Sequence, residues 1–310
     1  MTLIVARQVD GDVYIVGDTK FSDAANSEKE QYIGGLKIVL LTPGLCVGFA
    51  GDVLAAREAI QGIYDQDINL FDKNLVLEYF LEHHRKSHPG SADETTFIVA
   101  VICEIDEQPG KHVTEIFRVA NSKVSWEDQT SHIGESDAFN LFQKVSHTGI
   151  TKSEVPVFEF SKTGSKPRPN FDASLTNTLR AMQAVIDDPA TLRVDGYRTV
   201  VISEDGQFKY IEYIQIKGQV IPLGAQPGAP ISFGGAPEGS DIKHVGMLTA
   251  VGIGILPVYS ITGRFGLIYR PEISFEPMRC KNCSPDEFRL QIELQLSIAH
   301  ERALAYQSRY

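Results

Sequence analysis

A chain of 310 residues, 43% hydrophobic and 22% charged, is long enough to bury a sizeable core and fits one large domain or one domain plus an extension. Its 29 Lys and Arg against 40 Asp and Glu leave a net charge of −11 with no basic block, which sets nucleic acid aside on electrostatic grounds. Asp10, Asp12 and Asp18 break up the first residues, so a secretory signal's basic start and uninterrupted apolar core are both missing, and the reading predicts a cytoplasmic protein.

The first fifty residues read as four strands, LIVARQV, DVYIVGDTK, KIVLL and LCVGFAG, separated by turn signals at Asp10-Gly11, Gly34-Gly35 and Pro43-Gly44. Apolar residues at helical spacing follow in DVLAAREAIQGIYDQ, with Asp52 as its N-terminal cap, and in NLVLEYFLEHHRKSH. His83, His84 and His88 have no metal ligand or nucleophile partner among their sequence neighbours, so they are expected to form a solvated helix end. TTFIVAVICEI, VTEIFRVA and SKVSW are strands, a short strand ends at HIG, and SDAFNLFQKVSH is an amphipathic helix. A polar, proline-marked stretch from Lys162 to Asp172 leads to the helix SLTNTLRAMQAVIDD, and the strands RTVVIS and QFKYIEYIQIKG flank the turn Glu204-Asp205-Gly206. This order predicts an α/β fold, a four-layer αββα sandwich of two packed antiparallel sheets, over residues 2–218.

Residues 219–310 are expected to form an extension: a Gly/Pro-rich loop, apolar strands and a C-terminal helix. No formally charged residue lies between Lys243 and Arg264, the length of a membrane span, but glycines, Pro257 and several hydroxyls interrupt the run. Buried or edge strands fit better, and no membrane partner is predicted. Cys46 and Cys103 fall in apolar strands as small core residues. Cys280 and Cys283, in RCKNC, have zinc-knuckle spacing without a second ligand pair, so a turn before a helix capped by Ser284 and opened by Pro285 is expected, with no metal and no cofactor.

Four stretches carry chemistry. Thr2 sits directly behind Met1, and so small a second residue lets an aminopeptidase remove the methionine and leave a threonine with a free α-amino group. Sixteen residues on, GDTK supplies Asp18 and Lys20 at a strand end; Lys37 opens the strand LKIVLL, and Gly51 of GFAGD follows Lys37 by fourteen. These residues at these spacings resemble the proteasome-like branch of the N-terminal nucleophile hydrolases, that is, proteasome β subunits and their smaller bacterial relatives. The resemblance covers about residues 2–216 and lies in spacing more than in running identity.

The resemblance implies a threonine-type endopeptidase, and each role has its own chemical reason. A threonine hydroxyl is a poor nucleophile near neutral pH without a base. The α-amino group of Thr2, with an unperturbed pKa of about 7.7–8.0, is a suitable one, and the ammonium of Lys37 would favour its neutral form. Asp18 would keep Lys37 charged and oriented. The N–H of Gly51, at a helix start where donors are unsatisfied, would hold the oxyanion. In the family a G-S-G motif brings a serine beside the nucleophile; here Gly134-Glu135-Ser136-Asp137 leaves open whether Ser136 serves one place over or Glu135 substitutes a carboxylate. The family's R-D-x-x-S-G-G motif becomes Val194-Asp195-Gly196-Tyr197-Arg198-Thr199, where Asp195 matches and Arg198 holds the serine position.

The partners that the resemblance implies are a peptide or unfolded protein substrate, further copies of the chain in a homo-oligomer and, by analogy alone, a separate ATPase unfoldase; the chain carries no P-loop that would replace one. Two alternatives stand beside the peptidase: a catalytically inactive scaffold or binding subunit that retains Met1, and an N-terminal nucleophile amidase for a small amide.

Overall fold

The structure is a computed structural model that describes residues 2–9, 11–20, 35–66, 68–87, 90, 94–105, 110–147, 173–191, 193–194, 198–211, 213–216, 219–222, 245–248, 255–260, 265–271 and 273–307. Strands β1 (Leu3–Val9) and β2 (Asp12–Asp18) form a hairpin at the centre of a first sheet. That sheet is completed by β8 (Thr130–Gly134), β9 (Arg198–Glu204) and β10 (Gln207–Tyr210), in the order β10-β9-β2-β1-β8. The second sheet runs in chain order through β3 (Ile38–Thr42), β4 (Leu45–Ala50), β5 (Thr96–Glu104), β6 (His112–Ala120) and β7 (Lys123–Glu127). All strand pairs in both sheets are antiparallel.

Three apolar clusters set the layers. Alternate side chains of the two sheets, among them Ile4, Ile15 and Val201 from the first and Ile38, Cys46, Ile98 and Ile116 from the second, form one buried core between them. The opposite face of the second sheet, including Val39, Val47, Phe49 and Val99, packs on α1 (Val53–Asp65) and α2 (Lys73–Lys86) through Ile60, Val76 and Phe80. The opposite face of the first sheet, including Leu3, Val5, Tyr14 and Val16, packs on α3 (Ser136–His147) and α4 (Ala173–Asp187) through Phe142, Leu179 and Met182. The result is the expected four-layer αββα sandwich. Its edge strands β10 and β3 are tied together: the hydroxyl of Tyr210 donates to the Ile38 carbonyl at 2.7 Å, and the Phe208 N–H to the Pro43 carbonyl at 2.6 Å.

The strand expected over 207–218 is two. β10 stays in the first sheet, whereas β11 (Tyr213–Ile216) starts a third, antiparallel sheet with β12 (Gln219–Pro222), β13 (Val245–Leu248), β14 (Leu256–Ser260), β15 (Phe265–Arg270) and β16 (Ser274–Cys280). One face of β14 and β15, through Leu256, Val258, Leu267 and Tyr269, continues the inter-sheet core. Tyr259 and Ile268 face the other way and meet Phe288 and Ile292 of α5 (Pro285–Gln307). Packing is closest at Gly266, where a Cβ would lie 2.1 Å from the Phe288 ring.

The β16–α5 junction is the expected turn. Ser284 Oγ accepts the Glu287 N–H at 3.2 Å and Glu287 Oε2 accepts the Ser284 N–H at 2.7 Å, a reciprocal capping box that Pro285 follows at the first helical position. All four cysteines are free thiols. Among the described residues no helix is long and apolar enough to cross a membrane, and no group of three or more His, Cys, Asp and Glu is placed to hold a metal ion. The stretch from Lys162 to Asp172 lies outside the described residues.

Candidate active site

The strand ends meet at one end of the sandwich. Antiparallel pairing of Ile4 with Gly17 brings the start of β1 beside the end of β2, and pairing of Leu3 with Gly134 brings the end of β8 beside the same start. Asp18 is in register with Arg198, the first residue of β9. From the second sheet, Lys37 immediately precedes β3, and its carbonyl accepts the Phe49 N–H at 3.1 Å, two residues before Gly51. Ile4 spans the gap: a Cβ on Gly17 of the first sheet or on Gly48 of the second would come within 3.1 Å of it. Large side chains at those two glycines would force the sheets apart.

Thr2, Asp18 and Lys37, from three separate stretches, lie together with 3%, 0% and 2% of their surfaces exposed. The Lys37 ammonium donates to Thr2 Oγ1 at 2.6 Å and to Asp18 Oδ2 at 2.8 Å. The Thr2 hydroxyl, accepting from Lys37, donates its own proton to Asp18 Oδ1. Two backbone N–H groups, of Leu3 and Lys20, reach the same carboxylate, each at 3.1 Å. Burial lowers the Lys37 pKa from its usual value; the charge and hydrogen bond of Asp18 oppose this, and nearby Lys20 adds to the lowering. The hydroxyl thus lies between an acceptor and a cationic donor in a site nearly closed to water.

Two glycines are held by close backbone contacts, Gly134 against Thr2 of this cluster and Gly51 against the stretch before β5. Gly134 has φ +100°, and a Cβ there would lie 1.8 Å from the Thr2 carbonyl oxygen, which also accepts the Glu135 N–H at 2.9 Å. Gly51 has φ +108°, and a Cβ there would lie 1.9 Å from the Glu94 carbonyl oxygen. Neither position admits an L side chain without a backbone shift. Directly after Gly51, Asp52 caps α1, its Oδ1 accepting the Leu54 N–H at 2.8 Å.

The remaining residues singled out in the sequence are placed differently. Ser136 is exposed in the first turn of α3, and half-buried Glu135 lies 3.7 Å from the guanidinium of Arg193. Asp195 and Met1 lie outside the described residues. Arg198 is buried, with its guanidinium donating to the Leu179 carbonyl at 3.0 Å, so it is held toward α4.

One expectation is overturned. His84 is not part of a solvated helix end, because it is fully buried. Its Nδ1 lies 2.7 Å from the Thr95 carbonyl, and its Nε2 accepts the Ser122 N–H at 2.9 Å. A run of polar residues closing a helix gives no sign of which one turns inward; the only sequence cue was its place four residues after Phe80, on the buried stripe of α2.

No model of a known protein family matches the sequence, and no curated protein matches it. Solved structures that resemble it include Anbu, an ancestral β-subunit, from Yersinia bercovieri, at 14% identity and a TM-score of 0.46 over 67% of this chain and 87% of that one. A Gly-1 mutant of Anbu from Hyphomicrobium sp. strain MC1 is 14% identical with a TM-score of 0.46 over 68% of this chain and 87% of that one. The eukaryotic HslV of Trypanosoma brucei is 15% identical, with a TM-score of 0.37 over 65% of this chain and 98% of that one.

Proposed function

We propose that the protein is an N-terminal nucleophile hydrolase of the threonine type, a peptidase whose nucleophile is Thr2 once Met1 has been removed. The observation that supports this reading is the buried Thr2–Asp18–Lys37 chain of hydrogen bonds. Structural economy does not account for it, since replacing a buried ion pair by well-packed apolar residues is often neutral or stabilising, whereas charge clusters of this kind recur where chemistry is done.

In this mechanism the freed α-amino group of Thr2 takes the Oγ1 proton while Oγ1 bonds to the carbonyl carbon of the scissile amide. Lys37, held by Asp18, stabilises the developing charge near Oγ1 and favours the neutral amine. The Gly51 N–H receives the oxyanion. Collapse breaks the C–N bond, the amine leaves with the proton from the α-ammonium, and an ester on Thr2 remains. Water, deprotonated by the same amine, then hydrolyses that ester and restores Thr2 Oγ1–H. Ser136 and Asp195 keep only the supporting roles that the resemblance implies. The substrate is a peptide or unfolded protein, the working form a homo-oligomer, and an ATPase unfoldase a separate partner; native mass spectrometry of a strict monomer would remove the oligomer.

A peptidyl epoxyketone tests the chemistry, because a hydroxyl and an α-amine on one residue can both add to it. Intact mass of the purified protein should show loss of Met1 and one inhibitor equivalent on Thr2, and Thr2→Ala should show none. Retention of Met1 with no labelling would favour the scaffold reading, and turnover of simple acyl amides without peptides would favour the amidase.

A further inference from the structure

The geometry points to His84 as the residue that positions Gly51, an inference that rests on reading Gly51 as the oxyanion donor. The Thr95 carbonyl can only accept and the Ser122 N–H can only donate, so Nδ1 carries the proton and Nε2 offers its lone pair, which fixes one tautomer of the ring. Buried His84 thereby joins the last turn of α2 to the start of β5 and to the β6–β7 turn, where Asn121 and Ser122 take φ values of +52° and +57°.

The Thr95 side of this joint leads to the site. Ser87 Oγ accepts the Thr95 N–H at 3.1 Å while donating to the His84 carbonyl at 2.8 Å, closing a small ring around the helix end. Thr95 Oγ1 donates to the Asp52 carbonyl at 3.2 Å. Gly51 rests on the Glu94–Thr95 backbone so closely that a Cβ there would strike both the Glu94 carbonyl and Thr95 Cα. The Glu94 side chain flanks the ring, with Oε1 3.4 Å from His84 Nε2 and 3.3 Å from the Asn121 N–H, which it accepts. The Gly51-Asp52 segment thus lies on a strand end whose height is set by the His84 Nδ1–H···O bond. His84 is a positioning residue and does not touch the reacting atoms.

Two amide replacements separate the two ring nitrogens. His84→Asn places an NH₂ group near the Nδ1 position and keeps the Thr95 bond; His84→Gln reaches the Nε2 position and keeps the Ser122 bond instead. Both create similar packing defects, so a merely structural role would move both variants alike. With a fluorogenic peptide, His84→Gln should lose on the order of tenfold to a hundredfold in kcat with KM unchanged, the scale of a small misplacement of a catalytic group, while His84→Asn stays within about threefold of wild type. Hydrogen exchange of the peptide spanning residues 49–55 should accelerate in His84→Gln and not in His84→Asn. Equal exchange in both variants, or altered exchange with unaltered kcat, overturns the inference. A wild-type protein without Thr2-dependent turnover would sink the peptidase reading, and the exchange result would then decide the positioning of Gly51 by itself.

Discussion

Replacement of Gly134 by Ala adds one methyl group where the fold presses hardest on Thr2, the proposed nucleophile. Built on the observed backbone, that methyl carbon would lie 1.8 Å from the Thr2 carbonyl oxygen and 2.7 Å from the carbonyl carbon, against a practical minimum of 3.0 Å for real Cβ contacts. Its obstacle is backbone and cannot rotate away, so β1 and β8 must part by about 1 Å, a displacement of the size that costs about 10²-fold in rate when it reaches a catalytic group. The barrier should rise by about 2.7 kcal/mol. The backbone conformation itself, at φ +100°, adds about 1–3 kcal/mol of strain against folding. Gly11 separates the two effects, because it has φ +95° and nothing within 4 Å of its missing Cβ. Gly11→Ala should therefore lower stability by a similar strain while leaving the site untouched. The assay is the rate of epoxyketone addition to Thr2, followed by intact mass, beside thermal unfolding of both variants. If folded Gly134→Ala reacts at the wild-type rate, the close approach of Gly134 to Thr2 has no part in holding the proposed nucleophile.

The remaining expectations concern charge, the joint between sheets and the third sheet. Lys37 has a lowered pKa despite the opposing pull of Asp18, so Asp18→Asn should lower it further; the alkaline limb of Thr2 labelling, where Lys37 loses its proton, should then move to lower pH in a labelling pH profile. By linkage, the unfolded chain keeps the Lys37 proton up to about pH 10.4 while the folded chain releases it earlier, so across that window this group makes stability rise with pH, which urea unfolding at several pH values checks. Tyr210→Phe removes the donor to the buried Ile38 carbonyl beside Lys37 and should cost about 1–3 kcal/mol, read as a lowered urea midpoint. Phe288→Ala removes the ring that fills the space over Gly266 and stacks on Tyr259 with centroids 5.2 Å apart; about 3–5 kcal/mol should be lost, with faster hydrogen exchange in α5 before the sandwich.

Sequence spacing was informative where both partners sit at strand ends. A hairpin between Val9 and Asp12 fixes that the start of β1 meets the end of β2, so the Thr2–Asp18 distance along the chain already implies a distance in space. The same holds for Lys37 and Gly51 across the β3–β4 hairpin, which explains why these positions were legible and why the helix cap at Asp52 followed. Contacts that cross the chain were not. Gly134 reaches Thr2 only through the β1–β8 pairing, which joins the two outermost parts of a 130-residue stretch, and no local pattern encodes it. His84 escapes a sequence reading because a charged helix end looks solvated unless the β6–β7 turn is known to fold over it. Tyr210 and Ile211, two apolar residues in succession, shift the phase of the alternation, but strand-forming residues continue on both sides, so periodicity alone does not show the chain leaving one sheet for another.

The position of β1 inside its sheet places a clock on the maturation of the site. Thr2 has its full surroundings only when β8 and α3 exist to cover its carbonyl and β9 has joined β2, so about two thirds of the chain must be made first. At ribosomal rates of about 5–20 residues per second, that leaves on the order of ten seconds or more during which the N-terminus is accessible to a trimming enzyme. Afterwards Thr2 is 3% exposed. Under the proposed mechanism the fraction of active molecules would be decided during translation, by a race between methionine removal and closure of the sheet, and copies that lose the race would fold normally and stay silent.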